Sequence, residues 1–170
     1  MTEDTGNVAR RARASARRSA ARLAAVQALY QLDLMGGESE DIIVDVLNNQ
    51  GGALLEGDDF ADMDPRFFSD IARGTARWRG ELDVMLDASL TEGWTMARLE
   101  RILAAVLRCA AYELKHRPDV PVRVVINEYL EVARAFFDGE EPRLVNGVLD
   151  TVARRLREGE MDARKRDESA

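Results

Sequence analysis

Apolar residues recur at spacings of three and four along almost the whole chain, and that period limits the possible folds more than any other feature. Leu23, Val26, Tyr30 and Leu34 draw one buried stripe, closed by Gly36-Gly37. Ile42, Ile43, Val46 and Leu47 outline a shorter helix that stops in the run Asn48 to Gly52. Asp64-Pro65 opens a third, with Asp as N-cap and Pro preset for the first turn. Phe68, Ile71, Trp78, Leu82 and Met85 form its inward face, and Gly74 and Gly80 are points at which it can divide. Thr95 is placed to cap a helix bearing Leu99, Ile102, Leu103, Val106 and Ala110, ended by Pro118. Pro121 opens the next, with Val122, Val125, Ile126, Tyr129, Val132 and Phe136 inward and Asp138-Gly139 as its stop. Pro142 opens the last, with Val145, Val148, Leu149, Val152 and Leu156 inward.

No segment alternates with period two over a useful length. "VPVRVVI" is the one strand-like run, and its proline and the helical pattern after it argue against a strand. The reading is an all-α chain, a single compact bundle of six or seven helices. Residues 1–16 read as a flexible basic arm, 17–158 as the helical domain and 159–170 as a mobile charged tail.

Charge is distributed unevenly. The chain carries a formal −7, yet Arg10, Arg11, Arg13, Arg17, Arg18 and Arg22 face only Glu3 and Asp4 within the first 22 residues. A basic end on an acidic body points to an anionic partner for that end. An export signal is excluded because Arg22, Gln27, Gln31 and Asp33 interrupt the apolar region it needs; a transit peptide fits the acid-poor stretch better but merges into the first helix without a break. No run of 18 apolar residues exists to span a membrane. The acidic stretch 50–63 lacks the alternate spacing and central glycine of a calcium loop.

Enzymatic motifs are missing from the sequence. It contains no phosphate-binding Gly-x-x-x-x-Gly-Lys, no dinucleotide Gly-x-Gly-x-x-Gly and no Gly-x-Ser-x-Gly elbow. Cys109 and His116 are the sole residues of their kinds, too few for a Cys/His zinc site, and a lone cysteine fits a reducing compartment. His116 beside Arg117-Pro118 reads as a complement to a helix C-terminus, and Cys109 as a small core residue. The reading calls for no cofactor, no metal and no catalysis.

On a helix, Arg11, Arg18 and Arg22 fall on one stripe about 100° from the centre of the Leu23/Val26/Tyr30 face. One helix can then bury a flank and offer guanidinium groups, which bind phosphate bidentately and stack on bases, from the side next to it. Tyr30, Phe68, Trp78, Tyr112, Tyr129 and Phe136 lie on or near apolar stripes and read mainly as core. Asn146-Gly147 interrupts a strong apolar stretch; the expectation is that Gly147 permits close helix approach while Asn146 bonds nearby backbone.

Five sequence words in register resemble the bacterial NusB family of transcription antitermination factors. They are "RRSAARLAAVQALYQLDL", "FFSDIARGT", "LAAVLRCAAYEL", "VPVRVVINEYLEVARAF" and "RLVNGVLDTVAR", running from about Arg17 to Arg154. Asn127-Glu128 and Asn146-Gly147 stand in the most specific of them. Ser19 departs from the arginine several members keep there, and Leu144 from a common phenylalanine.

The resemblance implies a small helical, cytoplasmic, non-enzymatic protein. In that family the partner is NusE, a small-subunit ribosomal protein that doubles as a transcription factor. The pair holds the single-stranded boxA element of nascent RNA within the RNA polymerase antitermination complex, notably on ribosomal RNA operons. By residue, it implies RNA contacts at Arg13, Arg17, Arg18, Arg22, Gln27, Tyr30 and Arg143. Leu103, Arg134, Glu140 and Glu141 are the corresponding partner-binding positions. Self-association stays open. Two other readings compete: the RNA-recognition domain of a ribosomal RNA methyltransferase, for which no catalytic half follows, and an interaction module whose arm binds an acidic protein.

Overall fold

The computed structural model describes residues 2–48, 60 and 62–170, with side chains from residue 4 onward. Among them are eight α-helices and no strand. They fall into two compact units, Met1–Ala76 and Arg77–Ala170.

The first unit holds α1 (Thr2–Met35), α2 (Ser39–Asn48) and most of α3 (Pro65–Arg77). Arginine and alanine, both strong helix formers, make up residues 9–22 of α1 apart from Ser15 and Ser19. The helix therefore runs unbroken for 34 residues, about 50 Å at its standard rise. Its second half buries Ala21, Ala24, Ala25, Val26, Ala28 and Leu29. Small side chains of this kind let neighbouring helices approach closely, and α2 packs on α1 with Ile43 and Val46 inward. Gly36 and Gly37 take φ of 71° and 100°, a left-handed turn that stops the helix. At α3, Asp64 Oδ1 accepts the amides of Arg66 and Phe67 at 3.1 and 3.0 Å, the cap the sequence called for.

The second unit holds α4 (Arg79–Asp87), a 3₁₀ turn at Met96–Arg98, α5 (Arg101–His116), α6 (Val122–Phe136), α7 (Glu141–Leu156) and α8 (Glu158–Ser169). Packing of α5, α6 and α7 on one another encloses Val106, Leu107, Val125, Ile126, Tyr129, Val145, Leu149 and Val152. A partly buried ion pair, Arg108 to Asp83 at 2.6 and 3.0 Å, fastens α5 to α4. His116 stacks between Trp78 and Tyr112, with centroid distances of 5.6 and 4.7 Å, while Cys109 is buried.

Of the segments expected as a flexible arm, 1–16, and a mobile tail, 159–170, the described residues from Thr2 lie in the first half of α1, and those up to Ser169 lie in α8, with Met161 buried. That helix is secured because Glu160 Oε1 accepts the Val122 amide at 2.7 Å. The structure corrects several other expectations. The third stripe does divide, at Trp78 between its two glycines. Thr95 precedes only the 3₁₀ turn, and Glu100 stands before α5. Leu34 and Phe136, assigned to inward stripes, are 46% and 38% exposed because each lies in the last turn of its helix. Gly147 is exposed, and an added Cβ there would meet nothing within 4 Å, so close helix approach does not explain it. Asn146 and Asn127 are exposed as well, and Glu128 is half-buried. Most of the acidic stretch 50–63 lies outside the described residues.

Candidate nucleic-acid interface

Arginines of α1 change character along the helix. Arg10, Arg11 and Arg13 are exposed, Arg17 and Arg18 half-buried, and Arg22 only 2% exposed. The gradient arises because the start of α3 is tied to this part of α1, the Asp64 amide donating to the Arg17 carbonyl at 3.1 Å. Phe67, in the first turn of α3, then lies beneath two guanidinium groups. Arg18 and Arg22 stand 4.7 and 4.8 Å from its ring centroid, within cation–π range. The expected exposed stripe Arg11–Arg18–Arg22 is thus corrected at its lower end: Arg22 belongs to the packed base of the cluster, and Arg18 keeps partial exposure.

Asp62 brings an anion to the upper end. Its carboxylate lies 3.3 Å from Arg13 Nε and 3.5 Å from Arg17 Nε, and its carbonyl accepts Arg17 Nε at 3.1 Å. Ser19 folds its hydroxyl back onto the Ser15 carbonyl. Further along, Gln27 and Tyr30 are half-buried, and Gln27 Oε1 is shielded from solvent without a hydrogen bond among the described residues. Arg13, Arg17 and Arg18 form one cationic surface, whereas Gln27 and Tyr30 contribute partly covered side chains.

The second unit offers a separate groove of about 490 Å³ lined by Trp94, Arg98, Leu99, Glu100, Leu103, Glu140, Glu141 and Leu144. Three expected partner-binding residues, Leu103, Glu140 and Glu141, converge on it. Leu103 is largely buried in its floor, and Leu144 is half-buried beside it. Arg143, exposed on the outer side of α7, lies 3.6 Å from Glu140. Arg134 is not among the lining residues and instead pairs with Glu131 at 2.6 Å on the surface of α6.

Sequence reasoning missed Trp94, 54% exposed at the groove, and the two residues that organise the arginines, Asp62 and Phe67. Trp94 had a signal: it follows Gly93 (φ 87°) in a turn, off every apolar stripe. Asp62 had none, since only folding brings it across 45 residues to Arg17. Among the described residues, no group of three or more His, Cys, Asp or Glu side chains could hold a metal ion. No described helix is long and apolar enough to cross a membrane.

A family model described as the NusB family matches residues 19–154. Transcription antitermination protein NusB of Rhodopseudomonas palustris (strain BisB18) is 49% identical over 144 residues, 85% of each chain. A structure of T. maritima NusB superposes with a TM-score of 0.69 at 27% identity, covering 85% of this chain and 96% of that one. A crystal structure of the antitermination factors NusB and NusE in complex with dsRNA superposes at 0.64 and 22% identity, covering 82% and 97%. With a matching family model over most of its length and a relative of this identity, the chain belongs to the NusB family.

Proposed function

We propose that this chain is an RNA-binding transcription antitermination factor that pairs with NusE, engages the boxA element of nascent RNA and supports transcription of ribosomal RNA operons from the cytoplasm, without a catalytic step of its own. The observation that carries the reading is its 49% identity, across 85% of both chains, to a protein named for transcription antitermination. Geometry adds a mechanism. Arg13, Arg17 and Arg18 present cations along one stretch of α1, and single-stranded RNA offers both phosphates and unstacked bases to planar guanidinium groups. Arg143 is an exposed RNA-facing candidate on α7, and the groove at Leu103, Glu140 and Glu141 is the candidate seat for the protein partner NusE.

RNA binding by the purified chain, alone and with NusE, against a scrambled boxA control tests this directly. Specific binding should require the pair. Replacing Arg17 and Arg18 together by Ala should weaken it and lower the salt-dependence slope by about 0.7 for each phosphate no longer neutralised. Equal binding of boxA and scrambled RNA, or an unchanged slope, refutes the assignment.

A further inference from the structure

We infer that Asp62 is an internal competitor for RNA phosphate, held over Arg13 and Arg17 so that a nucleic-acid chain must displace it to reach them. The inference rests on the reading of α1 as the RNA-binding surface.

Three observations carry it. A carboxylate carries one negative charge on two oxygens, as a phosphodiester does, and this one lies 3.3 and 3.5 Å from the two guanidinium nitrogens. Its place does not depend on those ion pairs. Phe60 and Met63, on either side of it in sequence, are both buried, the Met63 amide donates to the Phe60 carbonyl at 3.2 Å, and the Asp64 amide holds the Arg17 carbonyl. The backbone therefore delivers the acid to the arginines. Finally, the contact is exposed: side chains of Asp62 and Arg13 are 62% and 74% accessible, so an incoming phosphate reaches the same nitrogens and the carboxylate can swing aside.

Surface ion pairs are individually weak, so the expected competition is modest: two of them correspond to about a three- to tenfold reduction in RNA affinity. Phosphate contacts carry no sequence information, so the penalty applies equally to any single strand and sets a threshold below which weakly bound chains do not load.

The test measures binding of fluorescent boxA-like RNA and its scrambled counterpart to the full chain with NusE. Asp62→Asn should tighten both RNAs by the same factor, about three- to tenfold, and steepen the salt slope, up to about 0.7 per guanidinium freed. Asp62→Glu, which keeps the charge, should stay near wild type. In an Arg13→Ala/Arg17→Ala background, Asp62→Asn should bring no improvement. If the arginine pair matters for binding but Asp62→Asn leaves affinity unchanged or weakens it, with thermal unfolding unaltered, the inference fails and the RNA-binding reading stands. If removing both arginines changes neither affinity nor slope, both fail together.

Discussion

The guanidinium of Arg22 lies 4.8 Å from the centroid of the Phe67 ring and is almost completely removed from solvent. A cation in that position serves the fold first. Arg22→Ala should lower stability by about 2 kcal/mol, since a well-packed buried charge and its ring contact disappear together. Arg18→Ala, at the more accessible side of the same ring, should cost less than half of that while weakening RNA binding more. Denaturant unfolding paired with RNA titration of both variants checks the division. Equal stability losses would remove the distinction between them.

Gly147 gives a prediction of opposite sign. It sits inside α7, exposed, with open space where a Cβ would go. Glycine in such a place destabilises a helix relative to alanine by about 1 kcal/mol. Gly147→Ala should therefore raise the melting temperature. A loss of stability would reveal crowding that the geometry does not contain.

How much the sequence disclosed follows from what each signal depends on. Helices were readable because stripes such as Val122, Val125, Ile126 and Tyr129 repeat locally, and all four are buried. Caps written in adjacent residues, such as Asp64-Pro65, were equally plain. Gly147 was misread because a glycine in an apolar stretch has two explanations, and only its neighbours in space choose between them. Arg22 was misread for a related reason: helical spacing places it beside Arg18, but the burial comes from Phe67, 45 residues away. Leu103, Glu140 and Glu141 were expected as partner-binding residues from family likeness, and the structure gathers them at one groove without period or spacing having hinted at it.

Arg157 is a multiple fastening within the second unit. Its guanidinium donates to the carbonyls of Glu113, Leu114, Arg117 and Val120 at 3.3, 2.9, 2.7 and 2.6 Å. Those oxygens belong to the end of α5 and the turn after it, where a cation is favoured; the Glu113 and Arg117 carbonyls also accept the backbone amides of Arg117 and Val120 there. Arg157→Ala should cost about 3 kcal/mol by equilibrium unfolding. Lysine cannot reproduce the fork, so Arg157→Lys should recover only a minor part.

Acid titration should show the tie between α2 and α3. Arg73 hydrogen-bonds the Glu40 carboxylate and holds its pKa below the ordinary glutamate value; desolvation opposes this, and the Arg73 charge adds to it. A folded-state pKa below the unfolded one means that the contact stabilises fully above the ordinary value. Its contribution is lost as pH falls through the lowered one. Arg73→Gln should return Glu40 to the ordinary range in a carboxyl-carbon NMR titration. An unmoved midpoint would show that the pair does not persist in solution.

Because α1 continues without interruption from its packed half into its arginine-bearing half, the nucleation cost of the arm's helix is met by the buried turns below it. Charges from Arg10 to Arg18 are consequently set at fixed intervals before any strand arrives, as teeth on a comb. On the proposed reading of α1, docking forgoes the entropy penalty of ordering a coil, and the RNA must conform to the spacing it finds.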